Sequence, residues 1–379
     1  MKIQTLRWTR EHHWQPALSS EAPAPQLVLG FGAREVLARE DGPWSEVLAH
    51  FPATPCAACS TAGEILDGRV SDGGLVLVVI RFSDTRVRAE AIDVTGAGAG
   101  FAAAAELSRR LAAPDLRHVL VLSDGLHVNG TALTAGFRAS LPAGVSVTGG
   151  LAGDGPDFRE TLAGLGLDLA PRRLVALGLY GDRLRVAHGS AGGWEPFGPR
   201  RLVTRSAAHV LYTLDDRPAL ALYQRYLGER AAGLPATGLL FPLQLLPARD
   251  AADGLVRTIL GVDEAAQSLT FAGDIPEGHY VRLMKAGPAA LVDGARLAAA
   301  AAGDATGADR LALLVSCVGR RLVLGQRAEE EIEAVRMRLG EGVCAAGFYS
   351  YGEISPAGRQ PGCDLHNQTM TLTVLSETV

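Results

Sequence analysis

Short apolar runs closed by glycine, proline or aspartate recur along the chain, and each reads as a strand. They fall at 26–31, 74–82, 117–123, 145–149, 173–180, 183–188, 310–316, 343–349 and 368–375. Helical periodicity or composition marks 101–112, 129–140 and 329–339; in the last, Ile332, Val335 and Leu339 recur on one face. A further helix is expected over 218–227, with Pro218 at its first turn and Gly228 just past its end. Strands alternating with helices predict an α/β fold. Several strands follow one another across short connections, so the sheets are expected to be mixed. The middle of the chain, about 201–286, differs. Strand-like runs at 238–245, 254–262 and 267–271 stand with turn residues between them, as a β-rich insert or as the start of a second domain. A break at Asp215-Asp216-Arg217-Pro218 suggests three stretches: an N-terminal segment 1–26, a first α/β domain 27–215 and a second, 216–379.

The chain also repeats itself. From 117 to 155 a strand ends Val-Leu-Ser-Asp-Gly, a helix follows, and a second strand ends Gly149-Gly150. From 310 to 353 a strand ends Leu-Val-Ser-Cys, a helix follows, and a second strand ends Gly347-Phe348-Tyr349. A shorter third copy, Cys-Ala-Ala-Cys-Ser-Thr-Ala-Gly-Glu-Ile at 56–65, resembles 344–354 with one gap. Related α/β units packed around a shared cleft are expected, since ligands of open α/β sheets sit beyond the carboxyl ends of the strands.

Composition narrows the function. Of 379 residues, 47% are hydrophobic and 20% charged, which excludes a disordered chain. A formal charge of −5 gives no basic field for nucleic acid. The longest apolar run, 75–80, is the length of a strand, so no membrane insertion is expected. Residues 1–16 carry charge and histidine where a signal peptide would be apolar. Five cysteines make no disulfide framework, and a reducing, cytoplasmic setting is expected.

No Walker A loop, HExxH, GxSxG elbow or kinase set is present. Gly-Ala-Gly-Ala-Gly at 96–100 is half of a dinucleotide fingerprint, or a flexible lead into a helix. Cys56 and Cys59 have redox or zinc spacing, but no second pair completes a zinc site. Glycine-rich strand ends supply close backbone approach together with Ser123, Asp124, Gly125, Gly149, Gly150, Cys317 and Arg320. A small polar ligand such as an amino acid would suit them, and so would turn chemistry alone. Between His188 and Gly198 the residues Gly193, Trp194 and Phe197 offer flat apolar walls beside a histidine. His188 is the candidate haem-iron ligand, or a structural histidine. Glu64 and Glu353 share a Gly-Glu-Ile triplet and can pair at a cleft or cap turns. The enzymatic alternative makes Cys59, Ser60 or Ser123 a nucleophile near Glu64; a chain with no ligand, acting as a scaffold, is the third reading.

Taken together, several runs resemble the FIST sensory family (F-box and intracellular signal transduction proteins). They are Cys-Ser-Thr-Ala-Gly-Glu-Ile at 59–65, Val-Leu-Ser-Asp-Gly-Leu at 121–126, Val-Asn-Gly at 128–130, Thr-Gly-Gly-Leu-Ala-Gly-Asp-Gly at 148–155 and the stretch 188–198 ending Gly-Gly-Trp-Glu-Pro-Phe-Gly. Farther on come His-Val-Leu-Tyr at 209–212, 216–220, Ser-Cys-Val-Gly-Arg-Arg at 316–321, Gly-Phe-Tyr-Ser-Tyr-Gly-Glu-Ile at 347–354 and His-Asn-Gln-Thr at 366–369. The order is kept over 27–376, with His209 standing where asparagine or glycine is expected. The resemblance implies a FIST N-type domain and a FIST C-type domain in a stand-alone bacterial sensor, not an enzyme. It would bind a small ligand, either an amino acid or haem with nitric oxide, and signal to a partner such as a histidine kinase or a cyclic-di-GMP enzyme. Ser60, Thr61, Gly63, Glu64, Tyr349, Tyr351 and Glu353 then join the expected ligand contacts.

Overall fold

The computed structural model describes residues 1–19, 23–96, 98–252, 254–303, 309–356 and 362–378. Along the chain, the first unit comprises β1 (Lys2–Thr9), β2 (His13–Gln15), β3 (Leu27–Gly32), α1 (Arg34–Leu37), α2 (Pro43–His50), β4 (Cys56–Ser60), a hairpin of β5 (Glu64–Leu66) and β6 (Arg69–Ser71), and β7 (Leu75–Arg81). The second comprises β8 (Arg86–Asp93), α3 (Ala99–Leu111), β9 (Leu116–Ser123), α4 (Gly130–Ser140), β10 (Ser146–Leu151), a hairpin of β11 (Ala163–Leu165) and β12 (Asp168–Ala170), and β13 (Arg173–Tyr180). The third opens with β14 (Leu184–Ala191).

An insert then interrupts the third unit. It holds β15 (Glu195–Ala207), β16 (Val210–Leu214), β17 (Arg217–Pro218), α5 (Ala219–Leu227), β18 (Leu243–Leu246), β19 (Leu255–Arg257), β20 (Ile259–Asp263), β21 (Ser268–Phe271) and β22 (Tyr280–Lys285). The third unit resumes with α6 (Pro288–Ala302), β23 (Arg310–Cys317), α7 (Val318–Leu324), α8 (Ala328–Leu339), β24 (Val343–Ser350), a hairpin of β25 (Gly352–Ser355) and β26 (Asp364–His366), and β27 (Met370–Glu377).

Each unit thus repeats one plan. A parallel pair, β3 with β4, β9 with β10 or β23 with β24, is flanked by an antiparallel return strand, β7, β13 or β27. Outside the return strand lies the unit's opening strand, β1, β8 or β14. The three hairpins are exchanged in a circle. The first unit's β5 pairs with β24, the third unit's β25 with β10, and the second unit's β11 with β4. The repetition legible in the sequence is therefore threefold, and its short copy at 56–65 is the second parallel strand of the first unit with the start of its hairpin.

One apolar core is shared by all three sheets. Phe31, Val76 and Val78 from the first meet Leu120, Leu122 and Leu177 from the second, and Leu313, Val315 and Phe348 from the third. Alternation along each strand turns the other face outward onto the helices, as Val147 and Leu151 do in the second sheet and Leu372 and Val374 in the third. The N-terminal segment supplies β1, which runs the length of β7 and buries Leu6 and Trp8.

The insert builds its own sheet, in the order β19-β18-β22-β15-β16-β21-β20, around a separate core that includes Leu220, Tyr223 and Phe271. The region expected to be β-rich is β-rich. The run expected over 254–262 is broken at Thr258 into β19 and β20, and the run over 238–245 is strand only from Leu243. Among the described residues no helix is long and apolar enough to cross a membrane.

Candidate functional site

Where the strand tips of the three units meet, they are sewn together. The Ala62 amide donates to the Tyr349 carbonyl and the Tyr349 amide to that of Gly63, both at 2.8 Å. The Gly153 amide donates to the Ser60 carbonyl at 3.0 Å, and the Tyr351 amide to that of Leu151 at 3.2 Å. The duplicated tips converge as expected, but onto each other, and their polar groups are spent there. Ser60 Oγ accepts from the Leu162 amide, and Ser123 Oγ donates to the Asp124 carbonyl. The Tyr351 hydroxyl donates to Asp154 and to the Gly155 carbonyl, and its ring stacks on Phe158 at 4.3 Å. Gly149 lies at φ +140°, and a Cβ there would stand 1.9 Å from the Val121 carbonyl oxygen. It and Gly150, whose Cβ would press on Val315, serve sheet packing. A Cβ on Gly63 or Gly125 would likewise strike protein, Arg321 and the Ala152 carbonyl respectively.

Three buried carboxylates brace these tips. Thr61 Oγ1 donates to Glu64 at 2.8 Å, and the Gly74 amide at 3.3 Å. Ser350 Oγ donates to Glu353 at 2.7 Å, as do the Thr369 amide and hydroxyl at 3.1 and 2.9 Å. Asp124 accepts from the Leu126 and His127 amides, the His127 ring, Thr161 Oγ1 and the Arg172 amide. In all three, an amide immediately before a return strand is held by a carboxylate. Burial pushes Glu64 up to about 7 and Glu353 up to about 8 against their hydrogen bonds. Burial pulls Asp124 the same way, but its many donors together hold it below the usual carboxylate range. Each carboxylate has its own partners, so of the two readings Glu64 and Glu353 brace turns and do not pair at one cleft.

Arg320 is also internal. Its guanidinium pairs with Glu331 at 2.7 and 3.0 Å, donates to the Leu291 carbonyl at 2.7 Å and reaches the Gly192 carbonyl, all without solvent exposure. Its donors are taken, so it does not clamp a ligand carboxylate as expected from the sequence. Instead it fixes the backbone at Gly192. The Tyr349 hydroxyl donates to the same Glu331 at 2.8 Å, and Cys317, buried, stands at the N-cap position of α7 without a side-chain capping bond. The nucleophile reading loses its chemistry here. Cys59 is buried with its thiol held far above the ordinary range by desolvation, and Ser60 and Ser123 serve backbone groups. The dinucleotide reading at 96–100 rests partly on Ala97, which lies outside the described residues.

The open site lies elsewhere, between the end of β14 and the insert. A cleft of about 740 Å³ is lined on one side by Ser190, Gly192, Gly193, Trp194, His366 and Thr369. On the other side the insert contributes Gln244, Leu245 and Pro247 around β18, Gly254, Leu255 and Val256 around β19, and His279 and Met284 around β22. Local backbone chemistry places the first wall. Gly193 sits at φ +78° against α6, with a Cβ position 2.0 Å from the Ala290 carbonyl oxygen, so only glycine lets the chain turn there. The turn delivers Trp194, whose indole Nε1 donates to the Gln368 carbonyl at 2.7 Å and fixes the ring. Two ties hold the insert over this wall. Gln368 Nε2 donates to the Leu239 carbonyl at 2.9 Å, and Arg257 Nη1 to the Leu365 carbonyl at 3.0 Å. Burial pulls the Arg257 guanidinium down to about 10.

Behind the first wall runs a polar seam between the second and third sheets. His118 Nδ1 meets Ser146 Oγ at 2.8 Å, its Nε2 meets Thr148 Oγ1 at 3.0 Å, and Thr373 Oγ1 donates to Thr148 at 2.6 Å. His188 pairs across the ladder with Thr373, and Ser190 with Thr371. Desolvation, and then the charge of His188, push His118 down to about 3; burial also lowers His188. His188 Nδ1 and Ser190 Oγ are buried and without a partner among the described residues, as are Ser355 Oγ and both polar atoms of Asn367.

The haem pocket expected from His188, Trp194 and Phe197 is not assembled. His188 faces the seam, while Phe197 packs on Phe241 at 6.0 Å within the insert. The three residues thus do not share one wall. Of the expected contacts, Gly193 and Trp194 line the cleft, and Glu353 reaches it through Thr369. The insert wall was missed because its residues belong to no motif. His366 and Thr369 were signalled by the run at 366–369.

No curated protein matches the chain. A chorismatase crystal structure is similar at 11% identity and TM-score 0.34, covering 99% of this chain and 98% of its own. A cyanuric acid hydrolase from A. caulinodans is similar at 14% and TM-score 0.19, covering 78% and 99%. Likeness at that level carries no argument about activity. The FIST N domain matches residues 26–217 and the FIST C domain residues 219–356. The chain therefore belongs to the FIST family, whose domains are sensory modules of signal-transduction proteins that bind small ligands.

Proposed function

We propose that this protein is a sensor whose ligand occupies the cleft between the Trp194 turn and the insert. The observation that carries the reading is a concave site of about 740 Å³, walled by a fixed indole and aliphatic side chains, with buried hydroxyl and amide groups left unpaired at its edge. Among the described residues its lining holds no lysine, arginine, aspartate or glutamate. An uncharged small molecule therefore suits it better than a zwitterionic amino acid, and haem finds no support in the disposition of His188. Output would pass to a partner protein, with a histidine kinase or a cyclic-di-GMP enzyme as the expected class. A ligand that binds better when the insert is drawn onto the third unit would shift that equilibrium and change the surface a partner meets.

The test is a thermal-shift screen of neutral and charged metabolites, repeated on Trp194→Ala. A ligand at one hundred times its dissociation constant adds about 2.7 kcal/mol of stability. The expected result is a shift that Trp194→Ala removes. Ligand-induced stabilisation that survives both Trp194→Ala and Met284→Ala would move the binding site away from this cleft.

A further inference from the structure

We propose that the ligand of this cleft is a neutral phenol, its ring held between Trp194 and the insert and its hydroxyl received by Ser190. The inference rests on the cleft being the ligand site and specifies the chemistry of its occupant. The two walls differ in kind. The insert presents Leu245, Leu255, Val256 and Met284, a surface for an apolar ring face. Opposite, the Trp194 indole packs against the core, is locked by its bond to the Gln368 carbonyl and lines the cleft, a fixed aromatic surface for a ring.

The polar end lies on β14. Ser190 lines the cleft, and its Oγ is buried without a partner; two residues farther in on the same strand face, His188 Nδ1 is in the same condition. Thr371 and Thr373, their cross-strand partners, have committed their hydroxyls to the Val315 carbonyl and to Thr148. Neither satisfies the β14 pair. Beneath the cleft residues His366 and Thr369, Ser355 and Asn367 are each 1% exposed and also carry unpartnered polar atoms. Leaving such groups unmade is costly, so the site calls for a guest that can both donate and accept. A hydroxyl does both. A carboxylate would find no lysine or arginine in the described lining, and Arg282, which lies outside it, gives its Nε to Gln244 Oε1 at 2.7 Å. A sugar would lay hydroxyls against the aliphatic wall and lose their hydration there.

The experiment uses the full chain and calorimetric titration with p-cresol, its methyl ether, benzoate and glucose. Saturable binding of p-cresol at least tenfold tighter than each of the other three, lost in Trp194→Ala and weakened about tenfold by Ser190→Ala, is the expected result. The comparison with the methyl ether is made on the unaltered protein, so it stands even if a variant misfolds. Equal binding of the ether overturns the role given to the hydroxyl. Tighter binding of benzoate or glucose that still needs Trp194 overturns the phenol class and leaves the cleft as the ligand site. If none of the four binds, the phenol inference falls, and the cleft reading is left to its own metabolite screen.

Discussion

His118 makes acid stability a sharp test of the seam. The ring sits on β9 with both nitrogens on hydroxyls, one from Ser146 and one from Thr148, and burial pushes it from an ordinary 6.5 down to about 3. The folded state therefore prefers the neutral ring. Above pH 6.5 both states are neutral and His118 contributes its full packing and hydrogen bonding. Below 6.5 the unfolded chain takes up a proton that the folded chain refuses, so stability falls with pH until about 3. At pH 5 the difference amounts to about 1.5 pKa units, or about 2 kcal/mol, against nearly nothing at pH 7.5. The assay is urea unfolding followed by circular dichroism at both pH values, on the natural protein and on His118→Asn. The variant is expected to be less stable at pH 7.5, because Ser146 and Thr148 lose their partner. Its further loss on going to pH 5 should be smaller by about 2 kcal/mol than that of the natural protein. His188 and His366 are also held below their ordinary values by burial, so part of the acid sensitivity stays in both proteins. Equal pH dependence of the two proteins would refute the reasoning, and with it the view of the seam as a dry polar layer.

Other substitutions probe the remaining features. Arg320→Met leaves Glu331 buried without its cation and should cost about 3–5 kcal/mol in denaturant unfolding, only partly recovered by adding Glu331→Leu, because Tyr349 and Ser316 then lose their acceptor and the Leu291 carbonyl its donor. Gly149→Ala places a methyl group 1.9 Å from the Val121 carbonyl oxygen at a backbone angle suited to glycine, and should lower the melting temperature by more than an ordinary surface change, with soluble yield falling in parallel. Glu353 has the opposite sign to His118: its folded value, raised to about 8, means that stability is full below about 4.5 and drains away as pH rises through 8. Glu353→Gln should flatten the alkaline side of the stability profile, and an unchanged profile between pH 5 and 8.5 would contradict the assignment.

Much of this architecture was legible because it is local. Each parallel pair with its helix is contiguous in sequence, so 117–155 and 310–353 announced themselves as copies, and short unbroken apolar runs marked the return strands. The exchange of hairpins was not legible, because β5 finds β24 across some 280 residues and no local signal carries such a pairing. Arg320 misled for a related reason. Beside Ser316 and Gly319 it has the look of an anion clamp, while its true partner, Glu331, reads in the sequence Ala-Glu-Glu-Glu-Ile-Glu as one more solvated acid. His118 was hidden within an apolar run, although Ser146 and Thr148 on the adjoining strand hinted at a polar layer. The Trp194 turn was found because glycine next to a lone aromatic is unusual; Leu255 and Met284 were not, because aliphatic residues on an ordinary strand announce only burial.

The circular trade of hairpins means that neither half of this protein owns a complete set of strands. A fragment ending at residue 217 would keep β5 and β14 but lose β24 and β27, the strands they lie against, and β10 would be stripped of β25. Such a piece would be left with raw sheet margins and a bare apolar interior, and self-association is its natural fate. The two family domains are thus interlocked links of one chain-mail ring.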